Sequence, residues 1–138
     1  MPILDAPIVS ARYFFPRAVE VANPVQVDVA GGLIIESGIA DPLERILMRA
    51  RPHELGATLE QLQEEAARFL DHRAKLAATN TRVLVMHAAN DNLVLPSNAQ
   101  RNAEWSSGEL VLFERGDHNS IYFYNRDRIL DEVARFVT

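Results

Sequence analysis

Two stretches decide the fold of this chain, Val83-Leu-Val-Met-His-Ala-Ala-Asn-Asp91 and Gly116-Asp-His-Asn119. In the first, an apolar run leads into a loop that carries Asp91. In the second, a loop that carries His118 follows the apolar run 109–113. Short apolar runs without alternation are typical of parallel strands that are buried on both faces. Because loops at the carboxyl ends of neighbouring parallel strands converge on one crevice, we expect Asp91 and His118 to meet there.

The composition is that of a single small globular domain. The chain has 138 residues, of which 48% are hydrophobic, and a formal net charge of −5. Nucleic acid is not expected as a partner, because Lys and Arg are scattered rather than clustered. No apolar run approaches the roughly 20 residues that span a bilayer, and the first residues lack the pattern of a signal peptide. The absence of cysteine excludes disulfides and thiolate metal sites and favours the cytoplasm.

Strand and helix patterns alternate along most of the sequence. Short apolar runs predict strands at 32–36, 82–86 and 109–113, with helical periodicity between and after them. The strongest helical pattern covers 58–78, where Thr58 and Gln61 form a capping box. This order predicts an α/β fold with about three parallel strands, crossover helices and a helical insertion.

Three further helices are predicted from their starting residues. Asp41-Pro42 offers an N-cap followed by a proline in the first turn, and Ser97 is a candidate N-cap for the next helix. The last helix is predicted from about Asn125 to Val137. Its apolar face is predicted to contain Ile129, Leu130, Val133, Phe136 and Val137.

The first thirty residues have no dependable period. Prolines at positions 2, 7 and 16 interrupt the segment, and only 17–22 fit a short helix, with Asn23-Pro24 as its stop. We therefore divide the chain into an irregular N-terminal segment with a helix remnant, residues 1–30, and a folded domain, residues 31–138.

Asp91 and His118 fit the chemistry of hydrolysis. A hydrolytic imidazole must reach a nucleophile, and a buried carboxylate must hold the imidazole in one tautomer. A carboxylate followed along the chain by an imidazole is the order of the last two members of a Ser…Asp…His triad in one class of open α/β sheets. The pattern alone leaves an alternative open, in which Asp91 is a turn residue and His118 a polar loop residue.

Residues 31–138 resemble the C-terminal portion of the α/β-hydrolase superfamily. The resemblance lies in Gly32-Leu-Ile-Ile-Glu-Ser-Gly38, in Val83–His87 with Asp91 and Val94-Leu-Pro96, and in Gly116–Asn119. These pieces resemble the family's sixth strand, its seventh strand with the acid loop, and its histidine loop after the eighth strand. The resemblance implies a serine hydrolase acting on esters or other acyl compounds, with Asp91 as the triad acid and His118 as the general base. We expect no cofactor and no metal.

The nucleophile of such a triad is not recognisable. In the family it lies in a Gly-x-Ser-x-Gly turn ahead of the strand that resembles 32–36, and no such motif occurs in this sequence. Ser10 is nearest to the expected place but has no glycine beside it, and Ser37 follows the wrong strand. Losing the serine of a triad lowers turnover by on the order of 10⁶, so we expect this chain alone to be inactive.

Several other polar and aromatic residues have structural interpretations. His87 is predicted to be packed or hydrogen-bonded near the mouth of the crevice, and Asp117 to shape the loop beside His118. Trp105 and the cluster Tyr122-Phe-Tyr124 are predicted to pack between the last helices and the sheet.

A second interpretation of the chain is non-catalytic. A sheet of three strands leaves strand 32–36 with an open apolar edge, which is a template for pairing with a second copy or with a partner chain. The fold would then serve as an interaction or regulatory module. A third interpretation, a metal-dependent hydrolase, has little support because His53 and His72 lack the spacing of metal ligands.

Overall fold

The computed structural model describes residues 13–14 and 32–138. Ser10 and the helix predicted at 17–22 lie outside these residues. The strands are β1 Tyr13–Phe14, β2 Gly32–Glu36, β3 Arg82–Ala88 and β4 Glu109–Phe113. The helices are α1 Pro42–Leu47, a 3₁₀ helix Pro52–Leu55, α2 Leu59–Phe69, α3 His72–Ala78, α4 Ser97–Ser106 and α5 Ile121–Val137. None of the helices in these ranges combines the length and the apolar character needed to cross a membrane.

The strands form one sheet in the order β1-β2-β3-β4. Strands β2, β3 and β4 are parallel, as predicted, and helices connect them. Strand β1 pairs antiparallel with β2, placing Tyr13 opposite Ile34 and Phe14 opposite Leu33. The edge of β2 that was predicted to be open is therefore covered at Leu33 and Ile34, because a segment far upstream supplies the missing hydrogen-bonding partner.

Both faces of the sheet are covered by helices, which explains why the strand sequences do not alternate. On one face α5 packs over β2, β3 and β4; this cluster contains Ile34, Leu84, Met86, Ala88, Phe113, Ile121, Ile129 and Phe136. On the other face α3 and α4 cover β2 and β3; this cluster contains Leu33, Ile35, Leu76, Val83, Val85, Ala99 and Ala103. Each large side chain buried in these layers stabilises the fold by about 1.5–3 kcal/mol.

A close contact joins the beginning of the sheet to the last helix. A Cβ atom at Gly32 would lie only 2.5 Å from Cε1 of Phe136, so the ring occupies the space that any larger residue would need. Phe136 is 2% exposed, and the guanidinium of Arg82 lies 4.6 Å from the centre of its ring. Strand β2 and helix α5 therefore share one packed surface.

The helical pattern predicted at 58–78 is divided into two helices. The Thr58–Gln61 capping box is present, with hydrogen bonds of 2.8 and 3.2 Å, and α2 begins as expected. The single long helix was wrong, because α2 ends at Phe69 and α3 begins at His72. The Asp71 side chain accepts a hydrogen bond from Ala74 N and starts α3, while Lys75 Nζ donates to the Phe69 carbonyl. A strong local N-cap thus competes successfully with the continuous apolar period.

The other helix starts agree in part with the sequence. Asp41 caps α1 by accepting a hydrogen bond of 3.0 Å from Glu44 N, as predicted. Ser97 was wrongly predicted as an N-cap, since it is the first residue of α4 and Pro96 occupies the cap position.

Helix α5 starts four residues before the predicted position, at Ile121, and has a kink at Asn125. The Asn125 side chain donates to the carbonyls of Ile121 and Arg115, a local hydrogen bonding that accompanies the kink. The predicted apolar face was wrong for Leu130 and Val137, each 47% exposed.

Candidate functional site

Asp91 lies at the carboxyl end of β3, in a tight turn. Its backbone N–H donates to the Ala88 carbonyl at 3.1 Å. Its side-chain Oδ1 accepts hydrogen bonds from Leu93 N at 2.9 Å and from Val94 N at 2.8 Å. The residue is only 1% exposed, so the carboxylate is fixed in one orientation in a region with little water.

His118 lies in the turn between β4 and α5. Gly116, at φ +88°, opens the turn in the left-handed region that glycine tolerates best. Asp117 then accepts hydrogen bonds from Asn119 N, Ser120 N and the Ser120 hydroxyl, and this bonding lowers the pKa of the Asp117 carboxyl. Asp117 therefore shapes the loop, as predicted, and the imidazole of His118 is presented by a short, internally hydrogen-bonded turn.

The two loops bring Asp91 and His118 into contact. His118 Nδ1 lies 2.7 Å from Asp91 Oδ2, with the Asp91 side chain fully buried and the His118 side chain 18% exposed. A carboxylate only accepts, so Nδ1 carries the proton and donates it. The neutral imidazole then has its lone pair on Nε2, the atom that a general base uses. Within 13–14 and 32–138, Asp91 is the only side chain that hydrogen-bonds to His118.

A second histidine contacts the same carboxylate. His87 Nε2 lies 2.7 Å from the Val94 carbonyl oxygen and 3.2 Å from Asp91 Oδ2. The prediction that His87 is packed or hydrogen-bonded is confirmed, but its predicted place after the strand was wrong. It is inside β3 and has 0% exposure. Its contact with Asp91 was missed, although the i, i+4 spacing across the end of a strand is visible in the sequence.

No serine of the described ranges is hydrogen-bonded to His118. Ser37 is buried, at φ +54°, and its hydroxyl donates to Glu36 Oε1 at 2.5 Å. Ser120 is turned toward Asp117. The carboxylate of Glu36, 5% exposed at the end of β2, is a buried acidic group that sequence reasoning did not single out.

The remaining candidates are separate from this pair. In the part of the chain that the structure covers, no three His, Asp or Glu side chains are grouped as metal ligands. Trp105 packs against the α3–α4 side of the sheet, as predicted. The packing predicted for the aromatic cluster was wrong: Tyr122, Phe123 and Tyr124 are 50%, 80% and 46% exposed, because they lie on the outer side of the first turn of α5.

Among the described residues, cavities border the helical layer at two places. One, of about 310 Å³, has the acid loop as a wall, with Leu93, Val94 and Arg45 among its lining residues; Arg45 Nη1 donates to the Leu93 carbonyl at 2.6 Å. The other, of about 200 Å³, is lined in part by His72 and Trp105. Burial lowers the pKa of His72, against the raising effect of the nearby Ile39 carbonyl. Neither Asp91 nor His118 lines either cavity.

Comparison with solved structures shows that the fold of this chain resembles a known one. The chain is similar to the acylaminoacyl peptidase of Pyrococcus horikoshii, in its orthorhombic crystal form, with a TM-score of 0.59 and 16% sequence identity. The similarity covers 85% of this chain and 22% of the peptidase chain. The chain has a partial α/β-hydrolase-like fold. The region that matches this chain spans about a fifth of that peptidase's length. At this sequence identity, the similarity is one of fold.

Sequence comparison adds no closer assignment for the α/β-hydrolase-like chain. No protein-family model matches the sequence, and no curated protein matches it. The assignment of fold therefore rests on the parallel sheet, its helical layers and the structural similarity.

Proposed function

We propose that Asp91 and His118 are the acid and the general base of a serine-hydrolase-type site for esters or other acyl compounds. The observation that carries the proposal is the 2.7 Å contact between Asp91 Oδ2 and His118 Nδ1, made by a fully buried carboxylate and a partly exposed imidazole. The position of both residues at the carboxyl ends of parallel strands adds support, because such sheets bind ligands there.

The chemistry of the pair follows from its hydrogen bonds. A serine hydroxyl about 2.6–3.2 Å from His118 Nε2 would give its proton to that nitrogen as its oxygen attacks the acyl carbon. The imidazolium that forms is stabilised by Asp91, and it then protonates the leaving group. Two backbone N–H groups keep Asp91 Oδ1 occupied, so Oδ2 remains directed at His118.

We propose further that this chain by itself does not hydrolyse acyl substrates by a serine mechanism. The whole sequence lacks a Gly-x-Ser-x-Gly motif, and its nearest candidate, Ser10, has Val9 and Ala11 as neighbours. A strained turn that exposes a nucleophile needs glycine at such positions. The name of the structural neighbour adds acylated peptides to the substrates worth testing, by analogy of fold alone.

Labelling with a fluorophosphonate probe tests the inactivity. This reagent forms a stable bond with the oxygen of an activated serine, and we expect no labelling of the 138-residue chain. Stoichiometric labelling would contradict the proposal, and the variant Ser10→Ala would show whether Ser10 is the labelled residue.

Hydrolysis of p-nitrophenyl acetate tests the acid–base pair. An accessible imidazole with a free lone pair hydrolyses this activated ester slowly without any serine. We expect His118→Gln to lose most of the histidine-dependent rate, and the matched exposed-histidine variant His53→Gln to lose little. Equal small effects of the two substitutions would remove the support for His118 as a base.

The alternative is an interaction or regulatory module that pairs through the edge of β2 with a second copy or a partner chain. The pairing of β1 with Leu33 and Ile34 occupies part of that edge, and no observation favours the module over the acid–base pair. Light scattering after size-exclusion chromatography decides whether the chain self-associates: a monomer at micromolar concentration argues against a homo-oligomer.

We also propose a cytoplasmic location. The chain contains no cysteine, which fits a compartment where disulfides do not form. Fractionation of cells that express the tagged chain tests the location, and recovery in a secreted or membrane fraction would contradict it.

A further inference from the structure

His87 is joined to the acid–base pair by a hydrogen bond to the Val94 carbonyl and by a close contact with Asp91. Its Nε2 faces two oxygens, the Val94 carbonyl at 2.7 Å and Asp91 Oδ2 at 3.2 Å. A carbonyl and a carboxylate only accept, so the proton must be on Nε2. The other ring nitrogen, Nδ1, is buried and has no hydrogen-bond partner among the residues that the structure describes. A proton there would have no acceptor, and leaving a buried donor unpaired costs about 1–3 kcal/mol.

We propose that His87 is a positioning residue: its Nε2–H holds the Val94 carbonyl, and so fixes the peptide whose N–H orients the Asp91 carboxylate toward His118. The inference rests on the proposed function, because it concerns the same acid and base. His87 acts through Asp91, and it reaches no substrate, since it has 0% exposure.

The hydrogen bonds around Asp91 show why this third residue matters. Oδ1 accepts from the N–H groups of Leu93 and Val94, and Oδ2 accepts from His118, with His87 Nε2 in contact at 3.2 Å. A carboxylate has about four lone-pair sites, and these three donors occupy three of them. Each donor restrains the rotation of the carboxylate from a different direction.

The Val94 peptide closes this arrangement. Its N–H donates to Asp91 Oδ1, and its carbonyl accepts from His87. The side chain of His87 thereby holds the turn that carries the carboxylate. Without the Nε2–H, the Val94 carbonyl loses a buried partner and the peptide that holds Asp91 Oδ1 is less restrained, so the His118 imidazole is held by a more mobile acceptor.

Nuclear magnetic resonance of the full chain with ¹⁵N-labelled histidine tests this inference. In the parent protein we expect the ring proton of His87 on Nε2 and that of His118 on Nδ1. The variant His87→Phe keeps a ring of similar size and removes the donor. The variant His87→Gln places an amide N–H close to the position of Nε2. The matched control is His53→Phe, because His53 is distant in sequence from the pair and lies outside the sheet.

The expected result is a graded effect on the His118 Nδ1–H resonance. In His87→Phe this signal shifts and broadens through faster exchange with water, in His87→Gln it stays near its parental position, and in His53→Phe it is unchanged. Chemical denaturation of each variant separates this effect from loss of folding, since a merely structural role lowers stability without being rescued by Gln.

Two results would overturn the inference. One is a folded His87→Phe protein with the parental His118 signal, and the other is a parent protein in which the His87 proton is on Nδ1. If His87→Phe does not fold, two other measurements decide the inference: the tautomer of His87 in the parent protein and the His118 Nδ1–H signal in His87→Gln. Failure of the proposed function is seen separately: His118→Gln would leave ester hydrolysis unchanged while the His87 tautomer remained as expected.

Discussion

The side chain of Asn90 donates a hydrogen bond of 2.8 Å to the carbonyl of Glu114. This bond joins the loop that carries Asp91 to the loop that carries His118. The neighbouring residue adds a second connection, because Ala89 N donates to the Phe113 carbonyl at 2.8 Å. These two hydrogen bonds therefore hold the loops together, in addition to the contact between the Asp91 carboxylate and the His118 imidazole.

Asn90→Ala is expected to loosen the His118 loop with little effect on global stability. The lost hydrogen bond is exposed, so the free energy of unfolding should fall by only about 0.5–1 kcal/mol. Hydrogen exchange of the amides of residues 115–119 should become faster than in the parent. The control Asn119→Ala removes an exposed side chain from the same loop. An equal increase in amide exchange in this control would contradict the role of the Asn90 hydrogen bond in holding the loop.

Asp91→Asn is expected to lower the free energy of unfolding by about 2–4 kcal/mol. The carboxylate accepts from donors on both oxygens, and an amide presents one NH₂ group that must face a donor. We expect part of the His118 population to change its tautomer, because its acceptor is lost. Urea denaturation measures the stability, with Asp127→Asn as an exposed control. A change as small as that of the control would contradict the structural role of Asp91.

Gly116→Ala is expected to destabilise the protein by more than about 1 kcal/mol. The left-handed backbone at φ +88° disfavours alanine, and the new Cβ would lie 3.1 Å from Ile121 Cα. Gly56 provides a matched control, because it has φ +69° and a Cβ added there would meet nothing within 4 Å. Thermal unfolding should show a greater loss for Gly116→Ala than for Gly56→Ala, and equal losses would mean that contact with α5 is unimportant.

His72 is expected to make stability depend on pH. Burial lowers the pKa of His72 in the folded state, with a further lowering by Lys75 and an opposing effect of Asp41. The unfolded chain, with an ordinary histidine pKa of about 6.5, therefore binds the proton first as pH falls. The stability contributed by neutral His72 is complete above about pH 6.5 and decreases as pH falls toward the folded-state pKa.

Urea midpoints between about pH 8 and about pH 5 test this dependence. The variant His72→Gln does not titrate at this position, so its stability should decrease less with falling pH than that of the parent. His53→Gln, at a histidine outside the core, should retain the parental dependence. Parallel curves for the parent and His72→Gln would contradict the expected effect of burial.

The fold was predictable where local sequence and burial agree. The three parallel strands could be located because Val83–Met86 and its counterparts are apolar on both sides, which requires helices on both faces. That Asp91 and His118 would meet follows from the convergence of loops at one end of a parallel sheet. Their catalytic role stays a prediction.

The remaining features depend on contacts that sequence patterns do not encode. The break between α2 and α3 results from the competing cap of Asp71, although Leu70 and Leu76 continue the apolar period. The antiparallel pairing of β1 joins distant segments, and no local pattern marks its partner. The contact of His87 with Asp91 depends on the geometry of the turn at residues 88–94, which brings these two side chains together.

The contact between Gly32 and Phe136 has a consequence for the order of folding. It closes the sheet layer beneath α5 with residues that are synthesised almost at opposite ends of the described domain. Until α5 has been synthesised, β2, β3 and β4 expose the apolar face that this helix covers. Truncation within α5 would therefore leave that face exposed and favour aggregation.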